Sequence, residues 1–173
     1  MFEGPEWSNT PVSNTDSVNN KEKTIIEEKK QIFLSYSHQD TQMKDKIITH
    51  LNALKYHGIN CWIDDNIRLG EKWNNKIEVA INKSQVFILL VSKKFLSSDF
   101  IRDRELPEIK KRKNTLIIPV LLNDCSWDLI ECIEERQMIP KNAIPLSSIN
   151  EHEYDKIFGG LVKRVSDHYK NDF

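Results

Sequence analysis

Glycine is scarce in this chain of 173 residues: there are five, and no Gly-rich loop that would cradle a phosphate is among them. Cysteine is scarcer. Cys61, Cys125 and Cys132 are odd in number and lack metal-ligand spacing, so they are read as reduced thiols of a cytosolic protein. An excess of charge is missing too: net charge is -1 and the pI is about 6.5. That balance points to neither nucleic acid nor an anionic membrane as partner. No apolar run approaches the roughly 20 residues that span a bilayer. The start, Met1-Phe2-Glu3-Gly4-Pro5-Glu6-Trp7, has no basic residues and no apolar core, so no secretory signal is expected and the cytoplasm is the expected location. Without a secretory route the glycosylation match at Asn82-Lys83-Ser84 carries no meaning.

What is present is enough for one domain. Hydrophobic residues make up 39% and the mean hydropathy is -0.54. Residues 1–22 are rich in Asn, Ser, Thr and Pro and predict a flexible tail in which Phe2 and Trp7 are isolated aromatics. Residues 23–30 form a charged helix or linker, so the domain is drawn as 31–173 after a tail or linker of 1–30.

From Gln31 strands and helices alternate. The strands are read at Gln31–Tyr36, Ile59–Ile63, Gln85–Val91, Thr115–Leu122 and Ala143–Leu146. The helices are read at Thr41–Tyr56, with Asp40 as N-cap and Gly58 as left-handed C-cap, at Glu71–Asn82, Asp99–Lys113, Trp127–Glu135 and Glu153–Tyr169. The run Val86-Phe87-Ile88-Leu89-Leu90-Val91 is apolar throughout, as in strands buried on both faces of a parallel sheet. Pro119 predicts that its strand lies near an edge or is bulged. The fold class is therefore α/β: a flavodoxin-like, three-layer fold whose five-stranded parallel sheet has order 2-1-3-4-5 with helices on both faces. Its switch point lies between the first and third strands, so the ligand crevice is expected between Ser35–Asp40 and Ser92–Asp99.

Glu105 lies about two turns into the helix after the third strand, where a carboxylate can face that crevice. From spacing alone a second reading stands beside it. Arg102, Asp103, Arg104, Glu108, Lys110 and Lys111 surround it, and charges in such runs mostly face solvent. No Ser/His/Asp triad can be assigned. No metal site is expected either, since His50 and His57, seven apart on a helix, read as surface residues. Asp40, Asp64 and Asp65 invite comparison with a response-regulator pocket, but that needs an acceptor aspartate where the chain has Val91-Ser92-Lys93.

Four segments, in order, resemble the Toll/interleukin-1 receptor (TIR) domain family. Ile32-Phe33-Leu34-Ser35-Tyr36-Ser37 looks like its opening box, and Cys61-Trp62-Ile63-Asp64-Asp65 with Leu69-Gly70 looks like its second strand and BB loop. Phe95-Leu96-Ser97-Ser98-Asp99-Phe100 leading to Glu105-Leu106 looks like the segment bearing the catalytic glutamate of NAD-cleaving members. Asp124-Cys125-Ser126-Trp127 resembles a segment common in bacterial members. The resemblance covers about residues 31–170. It departs from the pattern at one place: the family's aromatic four residues before the glutamate is here Ile101, and Phe100 stands five before.

The resemblance implies a bacterial-type NAD glycohydrolase with Glu105 as the catalytic residue, NAD+ as substrate and no cofactor. It implies that Ser35, Tyr36, Ser37 and His38 line the nucleotide crevice, that Arg68 meets phosphate, and that Trp73 packs on the nucleotide. Beside these stand plainer roles: His38 as a turn residue, Arg68 as solvated, Trp73 as a packing residue. The products would be nicotinamide and ADP-ribose or a cyclic isomer. Self-association through TIR–TIR contacts, filaments included, would activate it, in prokaryotic antiviral signalling or cell death. The rival reading is a non-catalytic adaptor that works by TIR–TIR contact through Ile67-Arg68-Leu69-Gly70.

Overall fold

Strands as apolar as Val86–Val91 need cover on both faces, and they have it. The computed structural model describes residues 30–63 and 73–171. Its strands are β1 (Gln31–Ser35), β2 (Asn60–Ile63), β3 (Val86–Val91) and β4 (Leu116–Leu121), all parallel, in the order β2-β1-β3-β4. Alternate residues feed two cores. Ile32, Leu34, Val86, Ile88, Leu90, Ile118 and Val120 pack against α1 (Thr41–Leu51) and α6 (Tyr154–Asn171). Phe33, Phe87, Leu89, Val91, Ile117 and Leu121 pack on the other face against α2 (Trp73–Lys83) and α4 (Leu106–Lys111). No described helix is long and apolar enough to cross a membrane.

The predicted fifth strand is absent: the sheet of the described residues has four strands. Asn142 and Ala143 take left-handed backbone angles, φ 64° and 53°, and Pro140 and Pro145 have no N–H to give a ladder. Ala143–Leu146 therefore folds into short 3-10 turns, at Lys141–Ala143 and Leu146–Ser148. A single residue, Ile139, takes the strand's place as a bridge to Val120: its N–H donates 2.8 Å to the Pro119 carbonyl, and its carbonyl accepts from Leu121 N at 2.8 Å. The place of Pro119 follows. Leu116 and Leu122 donate toward β3, so the odd positions turn their N–H the other way. Pro119 stands where the missing donor would face the outer edge of β4.

Three helices differ from the plain α-helices expected. The first ends as α-helix at Leu51 and tightens into 3-10 turns over Asn52–His57, which keeps Leu54 in the core; Gly58 closes it at φ 71°, as its lack of a Cβ allows. The helix expected at Asp99–Lys113 is present over residues 99–111, with a π-turn inside it. A short α3 (Lys93–Leu96) comes first, then a π-turn over Ile101–Glu105, then α4. Pro107 gives the reason: it cannot donate to the Asp103 carbonyl, and its ring crowds that group. The chain opens a wider turn before it, in which Leu106 N–H bonds the carbonyl of Ile101. The helix read at Trp127–Glu135 is split, into a 3-10 turn at Trp127–Leu129 and α5 (Glu131–Glu134). The tail reading for residues 1–29 lies outside the described residues.

Candidate functional site

At the carboxyl ends of β1 and β3 the chain leaves a cleft of about 450 Å³, within the ordinary range for a small-molecule site, about 300–1,000 Å³. One wall is Tyr36, Ser37, His38 and Gln39. The other is Lys93, Lys94, Ser97, Ser98, Phe100 and Ile101, with Glu105 among them. This is the switch-point crevice expected from the strand order, since β1 and β3 are neighbours whose connections leave on opposite faces.

Glu105 is 3% exposed, so the solvated-face reading fails. The Ser35 hydroxyl at the end of β1 donates to its Oε2 at 2.7 Å, bridging residues seventy apart in sequence. A carboxylate taken from water needs donors in exchange, and Ser35, itself 1% exposed, is one. The π-turn accounts for the unusual spacing. Each of its hydrogen-bonded turns spends one residue more than an α-turn. A residue five before Glu105 therefore comes close to the angular place that a residue four before takes in an α-helix, and Phe100 and Glu105 line the same cleft.

The other wall is held by packing. Tyr36 is buried, with the Lys44 ammonium 5.4 Å from its ring centre and the His38 ring edge-on at 5.5 Å. Ser37 caps the turn after β1: its side chain accepts from Gln39 N at 3.4 Å and its carbonyl accepts from Asp40 N at 2.7 Å. Asp40 precedes α1 as expected but does not cap it with its side chain. Its carboxylate reaches across and accepts from the buried Ser92 hydroxyl at 2.5 Å, while Ser92 Oγ accepts from Phe95 N at 3.0 Å and so caps α3. The two walls are thereby tied together. Sequence reading took Asp40 for a local cap because nothing local says that a residue fifty-two positions later competes for it.

Ser92→Ala removes both bonds at a buried position and is expected to cost about 2 kcal/mol, measured as a lower thermal midpoint. Asp40→Asn keeps an acceptor and should cost less than half of that. Equal midpoints for all three proteins would show that the bridge holds nothing.

Arg68 and the loop residues Asp64, Asp65, Ile67, Leu69 and Gly70 lie outside the described residues, as does the side chain of Trp73 at the start of α2. Lys93 and Lys94 were not singled out from sequence, although they fall in the segment expected to form the second wall, and Phe100 was noted there only for its spacing from Glu105. Burial disfavours the thiolate at all three cysteines: it pushes Cys61 up to about 12 and raises Cys125 and Cys132 as well.

A family model described as "TIR domain" matches residues 32–157. The chain belongs to the TIR domain family. Among curated proteins this TIR domain is 35% identical over 100 residues to the uncharacterised protein y4lF of Sinorhizobium fredii, covering 56% of this chain and 31% of that protein. It is 34% identical over 86 residues to TcpO of Methanobrevibacter olleyae, described as a probable 2′ cyclic ADP-D-ribose synthase, covering 49% of this chain and 24% of that one. The chain thus spans less than a third of the length of these relatives. Among solved structures it is similar to the TIR domain of the Toll-related receptor TRR-2 of Hydra magnipapillata, with 13% identity, TM-score 0.55, and coverage of 78% of this chain and 97% of that one. The RPS4 and RRS1 TIR heterodimer gives 16% identity, TM-score 0.55, and coverage of 80% and 97%. At such identities the likeness speaks for the fold alone.

Proposed function

We propose that this TIR domain cleaves the bond between nicotinamide and ribose in NAD+, giving nicotinamide and ADP-ribose or a cyclic isomer of it. The observation that carries the reading is the Glu105 carboxylate, buried beside the switch-point cleft and held by Ser35 at 2.7 Å. The similarity to a protein described as a cyclic ADP-ribose synthase supports it.

One carboxylate is enough for this reaction. Most glycosidases need a second group to protonate the leaving oxygen. Nicotinamide is cationic in the substrate and takes the bonding pair onto its ring nitrogen, so it leaves neutral without an acid. What remains is the positive charge that develops on the ribose. Glu105 would stabilise that charge electrostatically, in a cleft where little water competes, and would hold the ribose hydroxyls. Water, or a group of the adenosine half of the same molecule, would then take the ribose carbon, a hydroxyl nucleophile giving up its proton to Glu105 or to solvent. Tyr36, Ser37 and His38 would form the nucleotide wall, and Arg68 and Trp73 would take the phosphate and stacking roles that the family resemblance implies.

In this reading the protein works in the cytoplasm of a prokaryote, in antiviral signalling, and becomes active when copies assemble through TIR–TIR contacts. The test is incubation of concentrated protein with NAD+ and chromatography of the products. Nicotinamide is expected in step with NAD+ loss, with ADP-ribose or its cyclic isomer as the other product. No cleavage in the assembled state, together with binding to another TIR protein, would turn the assignment to an adaptor.

A further inference from the structure

A second cavity, of about 550 Å³, shares no residue with the cleft. It lies between the segment Gln137–Lys141 and one face of α6. Its walls are aliphatic, from Met138, Ile139, Pro140 and Ile157, with no aromatic side chain among the lining residues. Three cations, Lys141, Lys156 and Arg164, stand around it against one acid, Glu153.

Two features of α6 lack a reason within the described residues. Arg164 is half-buried, and burial pushes its basicity down. Its hydrogen-bond partner is the Gln137 carbonyl, at a long 3.4 Å. Among the described residues no carboxylate forms an ion pair with Arg164, Lys141 or Lys156. A cation moved out of water normally finds an anion. The second feature is Gly159-Gly160 in the interior of an 18-residue helix. Each glycine there costs about 1 kcal/mol relative to alanine. Crowding would explain it, but a Cβ at either position would meet nothing within 4 Å. Gly160 lines the cavity, and Lys156 and Arg164, four residues to either side, share its helix face. Bare helix backbone between two cations is suited to a body from outside the chain that approaches closely.

We propose that this groove is a second ligand site, for a small amphipathic anion whose aliphatic chain lies on the α6 backbone at Gly160 and whose carboxylate or phosphate head meets Arg164. The walls favour an alkyl chain over a nucleobase because no ring is present to stack on one. The site stands apart from the proposed NAD chemistry and holds whether or not that chemistry does.

The test is a titration of the isotope-labelled protein, followed by nuclear magnetic resonance, with octyl phosphate, octanoate, inorganic phosphate and octyl glucoside. Octyl phosphate or octanoate should give saturable shifts at Met138, Ile157, Gly160 and Arg164, and the stronger of the two identifies the head group. Arg164→Gln should weaken that binding about tenfold. Gly160→Ala supplies the decisive contrast. It should raise the thermal midpoint by about 3 °C through helix propensity and yet weaken binding by about tenfold, because the new methyl occupies the chain's place. A purely structural role for Gly160 cannot give both changes. Equal shifts from inorganic phosphate or from octyl glucoside overturn the proposal, as do unchanged binding to Gly160→Ala and the absence of any saturable shift. Shifts at these residues that follow protein concentration without ligand would instead make the occupant a second copy of the chain.

Discussion

Glu105→Gln is expected to lower kcat for NAD+ cleavage by about two to three orders of magnitude, the loss seen when one preorganised electrostatic group is removed from a transition state. The substitution keeps the shape of the side chain and removes its charge. The amide oxygen can still accept from the Ser35 hydroxyl, which now donates to Glu105 Oε2 at 2.7 Å. The fold should therefore survive. Circular dichroism and the thermal midpoint should match the wild type while nicotinamide release collapses. KM should change little if the carboxylate acts mainly on the charge that develops at the ribose. A variant as active as the wild type would remove Glu105 from the mechanism. A variant that fails to fold would still be informative beside Glu105→Asp, which keeps the charge and withdraws it by one methylene: partial activity there identifies the charge as the active element.

The largest expected effect on stability is at Phe33. It has no exposed surface, its ring stacks on Trp62 at 4.9 Å between centres, and it packs obliquely on Phe87 at 5.9 Å. It thus links β2, β1 and β3 on the face that carries α2 and α4. Phe33→Ala removes the ring and leaves a cavity that three strands cannot collapse into, at a cost of about 3–5 kcal/mol. For a domain of this size that is a fall of roughly 10–15 °C in thermal midpoint, and a large share of the 5–15 kcal/mol that holds a typical domain together. Phe33→Leu, which retains most of the apolar volume, should recover more than half. A loss under about 1 kcal/mol for the alanine variant would mean that the aromatic stack contributes little to the core.

The same residues show what could be read in advance. The apolar run Val86–Val91 predicts a doubly covered parallel strand because such a strand is apolar on both of its faces, and all six residues are buried. The switch-point crevice follows from strand order, which alternation and right-handed crossovers nearly fix. Glu105 could be placed near that crevice but not given its exposure, since a charged run looks the same whether one member is buried or none. The fifth strand was over-read because apolar content outweighed the two prolines and the left-handed positions at Asn142 and Ala143. The helix after β3 was read in its place, but its π-turn was not, because periodicity does not register that Pro107 withholds a bond from the turn before it.

By itself, then, the sequence determined the family, the order of the central strands and the two faces of the sheet, all consequences of local pattern and short connections. Only the tertiary structure decided which polar groups meet across long separations: Ser35 with Glu105, and Ser92 with Asp40. It alone turned Phe100 into the cleft through a π-turn, and it alone set Arg164 half-buried beside bare helix backbone. The physical reason is the same in each case. Hydrophobic burial is non-directional and leaves its record in periodicity, whereas a buried hydrogen bond or charge depends on the positions of two particular groups that no local window contains.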